Sequence, residues 1–465
     1  MTVKATYQLL IDLNNDGDFS DAGEDVTASV NTPGGGVGVL VGTDRGADKV
    51  TAMSPPKAGA LDAQLDNSGG SFGPSGNLQP GRAVRLKATY SASTRNLWHG
   101  VLQRPRQAPA AMRKAVDISA YGVLSQLVGK RVSTALHASV TTDVALDHLL
   151  DAAGLTGPTR TFDTGKTTLE WYWEDDADAF EAMLILLYTE GPGAKIYEAG
   201  DGSIVFKHRT ARAAETRSTT SQRTLRGSGS EPLISHPYQF DPGISEVINE
   251  AVLTVKKRSA GALGVAWTLG ESITLSPGEE RTYVARAADD DPMTAAVTPV
   301  AATDYTLSSG SLSSVTIDRT SGASIAITLV AGASGAAMPD LQLRAQVVAV
   351  TNTYSVRNSV DASASISAYG LIPWPLASRY IRPEIGQAAA QGAADAIVAW
   401  YKEGRPSARV TVKANRSDAA MLAALDSEIS APLTHVTTFL LNKALAANYG
   451  IWDLSDWDGG DFWAW

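Results

Sequence analysis

The pentapeptide Ile118-Ser119-Ala120-Tyr121-Gly122 occurs a second time as Ile366-Ser367-Ala368-Tyr369-Gly370. Each copy lies in a run where apolar or larger residues alternate with small polar ones. Alternation with a period of two is typical of a strand with one buried face. The repeat therefore predicts an internal duplication at domain scale, with two related β-domains and other material between them. The alternative is a chance match in a chain rich in Ser and Ala.

The composition is that of a folded chain with several domains. Its 465 residues are enough for roughly three or four domains, and 44% hydrophobic residues is ordinary for a globular protein. A net charge of −10 argues against a dedicated nucleic-acid binder, which carries a basic surface. The absence of cysteine excludes disulfides and thiol catalysis. No signal peptide and no run of about 18 apolar residues is found, so we expect no membrane span.

Residues 12–25 form a stretch rich in Asp, Asn and Gly. Oxygen-bearing side chains at alternate positions before Gly17 are the front half of a calcium loop, because a hard cation needs several oxygens on a sharply turned backbone. Gly23 stands at the twelfth position, where such a loop has its closing carboxylate. The pattern also fits a plain hairpin turn, which we favour. The candidate calcium ligands are Asp12, Asn14, Asp16, Asp18 and Glu24, and no other cofactor is predicted.

Four motifs follow one another within the first 130 residues. They are the Leu-Asp-Asn-x-Gly-Gly-x-Phe-x-Pro of residues 65–74, the Pro-Gly-Arg-x-Val-Arg-Leu of 80–86, the Trp-x-Gly-Val of 98–101 and the Val-x-Ile-Ser-Ala-x-Gly of 116–122. Their order resembles the first domain of tail-tip or baseplate hub proteins (minor tail proteins) of long-tailed bacteriophages and phage-like particles. Members of that group often also open with a hairpin like residues 12–25. The resemblance implies a tube-like β-barrel for residues 1–135.

The periodicity of the remaining sequence predicts the other domains. Helical spacing at 141–154 and 176–191 indicates a small α+β domain with an Arg/Ser-rich loop, at 136–240. Short Ser/Thr/Gly-rich strands at 259–345 indicate an inserted immunoglobulin-like β-sandwich. It interrupts residues 241–258 and 346–445, for which the resemblance implies a second hub β-barrel with helices. The predicted fold class is thus a β-rich α+β multidomain protein with two related tube-like β-barrels, a small α+β domain and an inserted sandwich.

One group of carboxylates is a candidate for catalysis. Glu174, Asp175 and Asp176 stand beside Trp171 and Trp173, and a glycoside hydrolase needs paired acids and aromatic side chains. These acids also stand where the N-cap of a helix belongs, where negative charge stabilises the first turn. We therefore expect Asp175 or Asp176 to cap a helix, and we expect no enzyme.

Residues 446–465 end in an unusual composition. Four of the ten tryptophans and four aspartates fall within 451–465, without a basic residue. Because disordered segments are poor in aromatic residues, we predict a docking segment that packs on a neighbouring subunit or on the next tail component. The candidate partner-binding residues are Trp452, Trp457, Trp463 and Trp465.

The resemblance implies a structural role at the virion tail tip, after assembly in the host cytoplasm. Such a hub is a homotrimer that joins the six-fold tail tube to the three-fold tip and lines the channel, through which DNA passes without specific binding. Its implied partners are the distal tail ring and tail-tube proteins, the tape-measure protein, and a tail fibre or tip protein. The alternatives are a receptor- or carbohydrate-binding tail protein, a distal tail ring protein, which usually has one barrel, and a cell-wall hydrolase supported only by residues 174–176.

Overall fold

The computed structural model describes residues 6–30, 42–47, 56–72, 78–90, 93–110, 113–211, 239–241, 246–374, 381–403, 407–413 and 436–442. This part of the chain is rich in strands and has few helices. No helix within it is both long and apolar enough to cross a membrane.

The first unit is a six-stranded antiparallel sheet around its own core. Its strands are β1 (Thr6–Ile11), β2 (Gly42–Ala47), β3 (Pro56–Asp66), β4 (Ala83–Tyr90), β5 (Ser93–Ala110) and β6 (Arg113–Tyr121). Their order in the sheet is β1-β4-β5-β6-β3-β2. On β6, Ile118 and Ala120 are buried while Ser119 is partly exposed, so the first pentapeptide forms a half-buried strand, as its alternation predicts.

The motif residues of this unit hold its turns and its core. The Asn67 side chain accepts a hydrogen bond from the backbone of Phe72 at 2.8 Å, and Phe72 is buried. Trp98 is only 1% exposed. A side chain on Gly100 would come within 2.5 Å of the Trp98 ring, so glycine is required two residues after the tryptophan. The motifs therefore mark positions where packing restricts the residue type.

Residues 24–30 connect two strands that are not neighbours in the sheet. Ile11 donates its backbone N–H to the carbonyl of Glu24 at 2.9 Å, beside β1. At the other end of the segment, Val30 forms an isolated antiparallel bridge with Leu65 of β3. The segment thus pairs with β1 at one end and with β3 at the other.

The second unit is an α+β module. Its elements are β7 (Arg131–Val132), β8 (His137–Thr141), α1 (Thr142–Ala152), β9 (Arg160–Phe162), β10 (Thr168–Tyr172), β11 (Ala177–Asp178), α2 (Ala179–Glu190), β12 (Lys195–Glu198) and β13 (Ile204–Lys207), and the short strand β14 (Gln239–Asp241) follows in the chain. α2 ends at Gly191, whose φ of 107° is in the region that favours glycine.

The third unit consists of two four-stranded sheets. Its strands are β15 (Val252–Ala260), β16 (Gly264–Thr268), β17 (Ile273–Leu275), β18 (Glu280–Arg286), β19 (Met293–Val297), β20 (Ser309–Asp318), β21 (Ser324–Met338) and β22 (Gln342–Arg357). One sheet contains β15, β16, β19 and β22, and the other contains β17, β18, β20 and β21. Buried residues of both sheets, such as Ile327 and Leu343, share one core. The first and last of these strands, β15 and β22, extend beyond the range 259–345 that the sequence predicts for the sandwich.

The remaining elements follow the third unit in the chain. They are α3 (Ser363–Tyr369), α4 (Gln387–Tyr401), β23 (Ser407–Lys413) and β24 (Val436–Asn442). β14, β23 and β24 form a separate antiparallel sheet. α4 packs into the core of the α+β module, where Ile397 and Val398 join Leu253 of β15. Residues far apart in the sequence therefore complete one core.

The second pentapeptide differs from the first. Residues 366–369 lie in α3, and Gly370 caps this helix. The prediction that this copy ends a strand is wrong, and the repeat does not mark equivalent strands. Ile118 is 1% exposed and Ile366 is 38% exposed, so the buried environment of the first copy, rather than the shared sequence, selects the strand.

Candidate functional site: junctions between the units

The three acidic residues at 174–176 do not cap the helix that follows them. The N-cap of α2 is Asp178, whose carboxylate accepts hydrogen bonds from the backbones of Phe180 and Glu181, each at 3.0 Å. The expectation that Asp175 or Asp176 is the cap is therefore wrong. The two-residue strand β11 lies between these acids and the helix, and its second residue, Asp178, is the cap.

Each of the three acids instead pairs with an arginine from a different part of the chain. Glu174 pairs with Arg382. Asp175 lies 2.8 Å from Arg286, and Asp176 lies 3.0 Å from Arg131. Glu174 therefore joins the α+β module to the segment before α4, Asp175 joins it to the third unit, and Asp176 pairs within the module.

The pair of Glu174 and Arg382 is buried. The Glu174 side chain is 9% exposed and the Arg382 side chain 12%. Arg382 also donates to the carbonyl of Trp173 at 2.9 Å, and its guanidinium lies 5.1 Å from the centre of the Tyr172 ring. These contacts hold the arginine in place, since a buried charge needs a partner of opposite sign and further hydrogen bonds.

Burial acts on the titration of both partners. It raises the pKa of the Glu174 carboxyl, and the nearby Arg382 charge opposes this effect. For Arg382, burial by itself lowers the pKa, but the negative charges nearby, that of Glu174 foremost, outweigh it and raise the pKa overall. Arg382 is therefore always a cation, and Glu174 is its nearest counter-charge.

The other two pairs are more exposed. The side chain of Asp175 is 27% exposed and that of Asp176 is 73% exposed. Asp175 also accepts a hydrogen bond from the Ser321 hydroxyl at 3.3 Å, and the backbone N–H of Gly322 donates to the carbonyl of Thr134 at 2.8 Å. This part of the junction attaches the loop between β20 and β21 to the α+β module.

A second arginine extends the buried network. Arg258 lies 2.6 Å from Asp291 and 3.7 Å from Glu384. Its guanidinium is 5.2 Å from the centre of the Trp173 ring, and the indole N–H of Trp171 donates to its carbonyl at 3.3 Å. Both tryptophans that suggested a sugar site therefore pack at the junction between units.

The segment 381–386 also forms backbone bonds with both neighbouring units. The N–H of Glu170 donates to the carbonyl of Glu384 at 3.0 Å, and the N–H of Lys256 donates to the carbonyl of Pro383 at 2.7 Å. Ile385 forms an isolated bridge with Leu169. The segment is thus a strap between β10 and β15, and α4 follows it directly.

Glu198 makes the corresponding junction between the first unit and the α+β module. It is 2% exposed and accepts hydrogen bonds from the backbone N–H groups of Gly59, at 3.1 Å, and of Leu124. A side chain on Gly122 would overlap the Glu198 carboxylate. The glycine that ends the first pentapeptide is therefore required for this contact.

A third contact involves His99 of β5. A side chain on Gly202 would overlap the His99 ring, so the turn of the β12–β13 hairpin lies directly on this histidine. Phe19 meets the ring edge-on at 6.3 Å, and Arg85 lies 4.3 Å from the centre of the Phe19 ring. Burial and the Arg85 charge lower the pKa of His99 to about 4, against the opposing effect of Asp201. The imidazole is therefore neutral at this contact.

The candidate calcium loop brings three of its carboxylates together. Oxygens of Asp12, Asp16 and Glu24 lie within 4.8 Å of one another. Asp12 accepts N–H bonds from Asn15 and Gly17, and Glu24 accepts them from Leu13 and Asp21. The side chains of Asn14 and Asp18 bond within the same loop, to Asp16 and to Ser20. Backbone amides thus already satisfy the two buried carboxylates.

The other sequence candidates have different outcomes. Trp452, Trp457, Trp463 and Trp465 lie outside the described residues, as does most of the Arg/Ser-rich loop. Sequence reasoning missed Glu198 and Arg382. Glu198 had a signal, because it follows Ile196 at the two-residue spacing of a buried strand face. No sequence signal identifies Arg382, since its partner Glu174 is 208 residues away.

Comparison with known proteins gives the following similarities. A 43 kDa tail protein of prophage MuSo2 from Shewanella oneidensis is 11% identical over 56% of this chain and 66% of that one, with a TM-score of 0.35. A tail protein from Neisseria meningitidis MC58 is 11% identical over 54% and 64%, with a TM-score of 0.35. A type VI secretion component of Escherichia coli, described as similar to bacteriophage tail proteins, is 14% identical over 46% and 55%, with a TM-score of 0.30.

These structural neighbours are phage tail proteins and a related secretion-system component. The chain spans between about half and two thirds of their lengths, at 55% to 66%. No protein-family model matches the chain, and no curated protein sequence matches it.

Proposed function

We propose that this chain is a structural hub at the distal end of a phage or phage-like tail. In this role, three copies join the six-fold tail tube to the three-fold tip and surround the channel through which DNA passes. The partners are the distal tail ring and tail-tube proteins, the tape-measure protein, and a fibre or tip protein. The location is the tail tip of the virion.

One observation carries the proposal. The four motifs that resemble phage hubs contribute to a single sheet and its core, and packing restricts the residue type at several of their positions. Trp98 lies against Gly100, Asn67 holds the turn to Phe72, and Gly122 contacts Glu198. The resemblance therefore rests on residues that determine the fold of the first unit.

The pairing of residues 24–30 with both β1 and β3 supports a tube-like barrel. β1 is one edge of the sheet, and residues 24–30 connect it to β3 near the opposite edge. A sheet that is connected back onto itself leaves fewer open strand edges. Such a unit is suited to a ring of barrels around a channel.

The junctions also support a structural role. Buried acids join the units at two places, Glu174 with Arg382 and Glu198 with backbone amides. The acids of 174–176 all have arginine partners, which is unlike a pair of carboxylates available for general acid and base catalysis. We infer a structural protein whose units keep a fixed arrangement, and not an enzyme.

The test is the oligomeric state of the purified chain. Light scattering should give three times the mass of 48.7 kDa. Electron microscopy should then show a ring with three-fold symmetry and a central channel. A monomer would contradict the proposal.

A further inference from the structure

The third unit has an open strand edge at β20. In its sheet, β21 lies between β20 on one side and β17 and β18 on the other. No strand in the described part of the chain pairs with the outer side of β20. An unpaired strand edge exposes a row of backbone N–H and C=O groups that can pair with another strand.

The direction of the backbone groups in β21 follows from one hydrogen bond. On the β18 side, Ala331 donates its N–H to the carbonyl of Glu279 at 2.9 Å. Successive residues of a strand turn their backbone groups to opposite edges, because opposite residues in an antiparallel ladder alternate between hydrogen-bonded and non-hydrogen-bonded pairs. Val330 and Thr328 therefore direct their backbone groups toward β20.

The same alternation determines which backbone groups of β20 are free. Thr328 is paired with Thr316, so Thr316 uses its backbone groups within the sheet. Its neighbours Val315 and Ile317 therefore direct their N–H and C=O groups toward the open edge. The ladder is regular over 314–318, and these groups are consequently placed for pairing with a further strand.

The side chains of β20 also leave room for a further strand. Leu312, Val315 and Ile317 pack against the core of the third unit but are only half-buried. Ile327, which lies opposite Ile317 on β21, is fully buried. The core is thus covered incompletely along β20, and an added strand would remove more of this apolar row from water.

Charged residues protect one outer edge of this sheet and not the other. β18 carries Glu280, Arg281 and Arg286 among its seven residues. β20 has one charged residue among its ten, Asp318, which is also its last. Because charged side chains on an edge strand hinder pairing with further strands, the sheet is protected at β18 and open at β20.

The three-fold arrangement proposed above argues against a second copy as the neighbour of β20. Two copies of one strand edge pair about a two-fold axis, since the same patch is used on both chains, and a three-fold ring contains no such axis. The β18 edge of a second copy carries the charges that hinder pairing. The occupant is therefore a strand of a different protein.

We propose that the open edge of β20 binds an extended strand of another tail component by β-strand addition. The added strand pairs with the backbone groups of Val315 and Ile317. Its inward side chains are apolar and extend the half-buried row, and its outward side chains are small and uncharged, like Thr316. The choice of a different protein rests on the proposed hub role, whereas the open edge does not.

The probe for this edge is a synthetic peptide with the sequence of residues 324–330, with lysines added for solubility. This sequence alternates apolar and small residues and pairs with the inner side of β20 in the third unit. The control peptide carries Ala326→Pro and Thr328→Pro, because proline cannot donate to a ladder. Hydrogen–deuterium exchange, resolved to single residues by fragmentation mass spectrometry, follows the amides of Val315 and Ile317.

In the purified chain alone, these two amides should exchange rapidly. The probe at saturation should slow their exchange by about tenfold or more, which corresponds to about 1.4 kcal/mol, and the control peptide should not. Slow exchange in the dilute chain without the probe would mean that the chain itself covers the edge. No slowing by the probe would mean that the edge accepts no strand, and either result would overturn the proposal. Protection that rises with the concentration of the chain alone would also overturn it and would assign the edge to a second copy.

Two variants separate the backbone from the side chain. Val315→Pro removes an N–H that faces the open edge, where proline is tolerated, and Val315→Ala keeps this N–H. We expect Val315→Pro to weaken binding of a fluorescently labelled probe by about tenfold or more, and Val315→Ala to weaken it less. Urea denaturation of both variants checks that they fold. Equal weakening in the two folded variants would overturn the proposal.

Light scattering on the same preparations separates this proposal from the hub role. A monomer whose β20 edge binds the probe would contradict the hub role and not the strand-binding edge. A trimer whose β20 edge does not bind the probe would contradict the strand-binding edge and not the hub role.

Discussion

Arg382 and Glu174 form a buried ion pair between two parts of the chain that are 208 residues apart. Arg382 lies on the strap before α4, and Glu174 follows β10 of the α+β module. Nearby, Arg258 of β15 connects to Glu384 of the same strap. The alternating charges extend from the module through the strap to the third unit, and so they fix the relative position of three parts of the molecule.

Removing one member of the buried pair should be strongly destabilising. Glu174→Ala leaves the Arg382 cation buried without its nearest counter-charge, and breaking a buried pair in this way typically costs about 3–5 kcal/mol. Asp176→Ala is the matched control, because its pair with Arg131 is exposed and such pairs contribute about 0–1 kcal/mol. Urea denaturation followed by tryptophan fluorescence measures both. Equal losses in the two variants would show that the buried pair does not hold the junction.

Gly122 should tolerate no side chain. Gly122→Ala places a methyl group against the Glu198 carboxylate, and overpacking of this kind typically costs about 1–3 kcal/mol. Gly157→Ala is the control, since nothing lies within 4 Å of a side chain there, and it should change the free energy of unfolding by less than about 0.5 kcal/mol. A neutral Gly122→Ala would mean that Glu198 is not fixed where the first unit meets the module.

Stability should fall between pH 6.5 and pH 4 in part because of His99. Its folded-state pKa is lowered from 6.5 to about 4, by burial and by the Arg85 charge. A lowered folded pKa means that the unfolded chain takes up the proton first, so this stabilising contribution is complete above about pH 6.5 and is lost as the pH falls toward 4. His99→Asn should lose less stability over this interval. Parallel urea curves for both proteins at pH 7 and pH 4.5 measure the difference, and an identical loss would contradict the burial of a neutral imidazole.

The loop at 12–25 should bind calcium weakly at most. Asp12 and Glu24 already accept backbone N–H bonds, so a cation would have to compete with these bonds. Calorimetric titration with calcium should give little heat, and calcium should leave the unfolding temperature unchanged. A tight site of one ion per chain, lost in Asp16→Asn, would contradict this expectation.

The α+β module should require the strap and α4 for its core. Ile385, Ile397 and Val398 are buried in the same cluster as Leu169 of β10. A fragment of residues 1–374 should therefore bind a hydrophobic dye and be cleaved rapidly within 136–208 by protease, whereas a fragment of residues 1–403 should not. Equal resistance of the two fragments would show that the module folds without the later residues.

Local patterns in the sequence predicted secondary-structure elements more successfully than they predicted tertiary contacts. The helical spacing at 141–154 correctly predicted α1, and the alternation at 116–120 correctly predicted β6. The same five residues at 366–370 were wrongly predicted to form a strand. A strand needs a neighbouring strand and a buried face, and a local sequence specifies neither. The pattern thus predicts which structures are accessible, and burial selects one of them.

The candidate site was less predictable than the fold. The sequence predicted that Asp175 or Asp176 caps a helix, and this prediction was wrong because the cap is Asp178. The arginine partners of the acids of 174–176 lie 45, 111 and 208 residues away, and no periodicity or spacing connects residues at such separations. Only the tertiary structure shows that these acids lie at the junction of the units.

Three copies of this chain should form a hub around a channel. Electron microscopy of the purified protein, combined with its mass from light scattering, detects this assembly. We expect a three-fold ring with a central opening and three times the mass of 48.7 kDa. A monomer that binds host glycans would contradict it and would favour a receptor-binding tail protein.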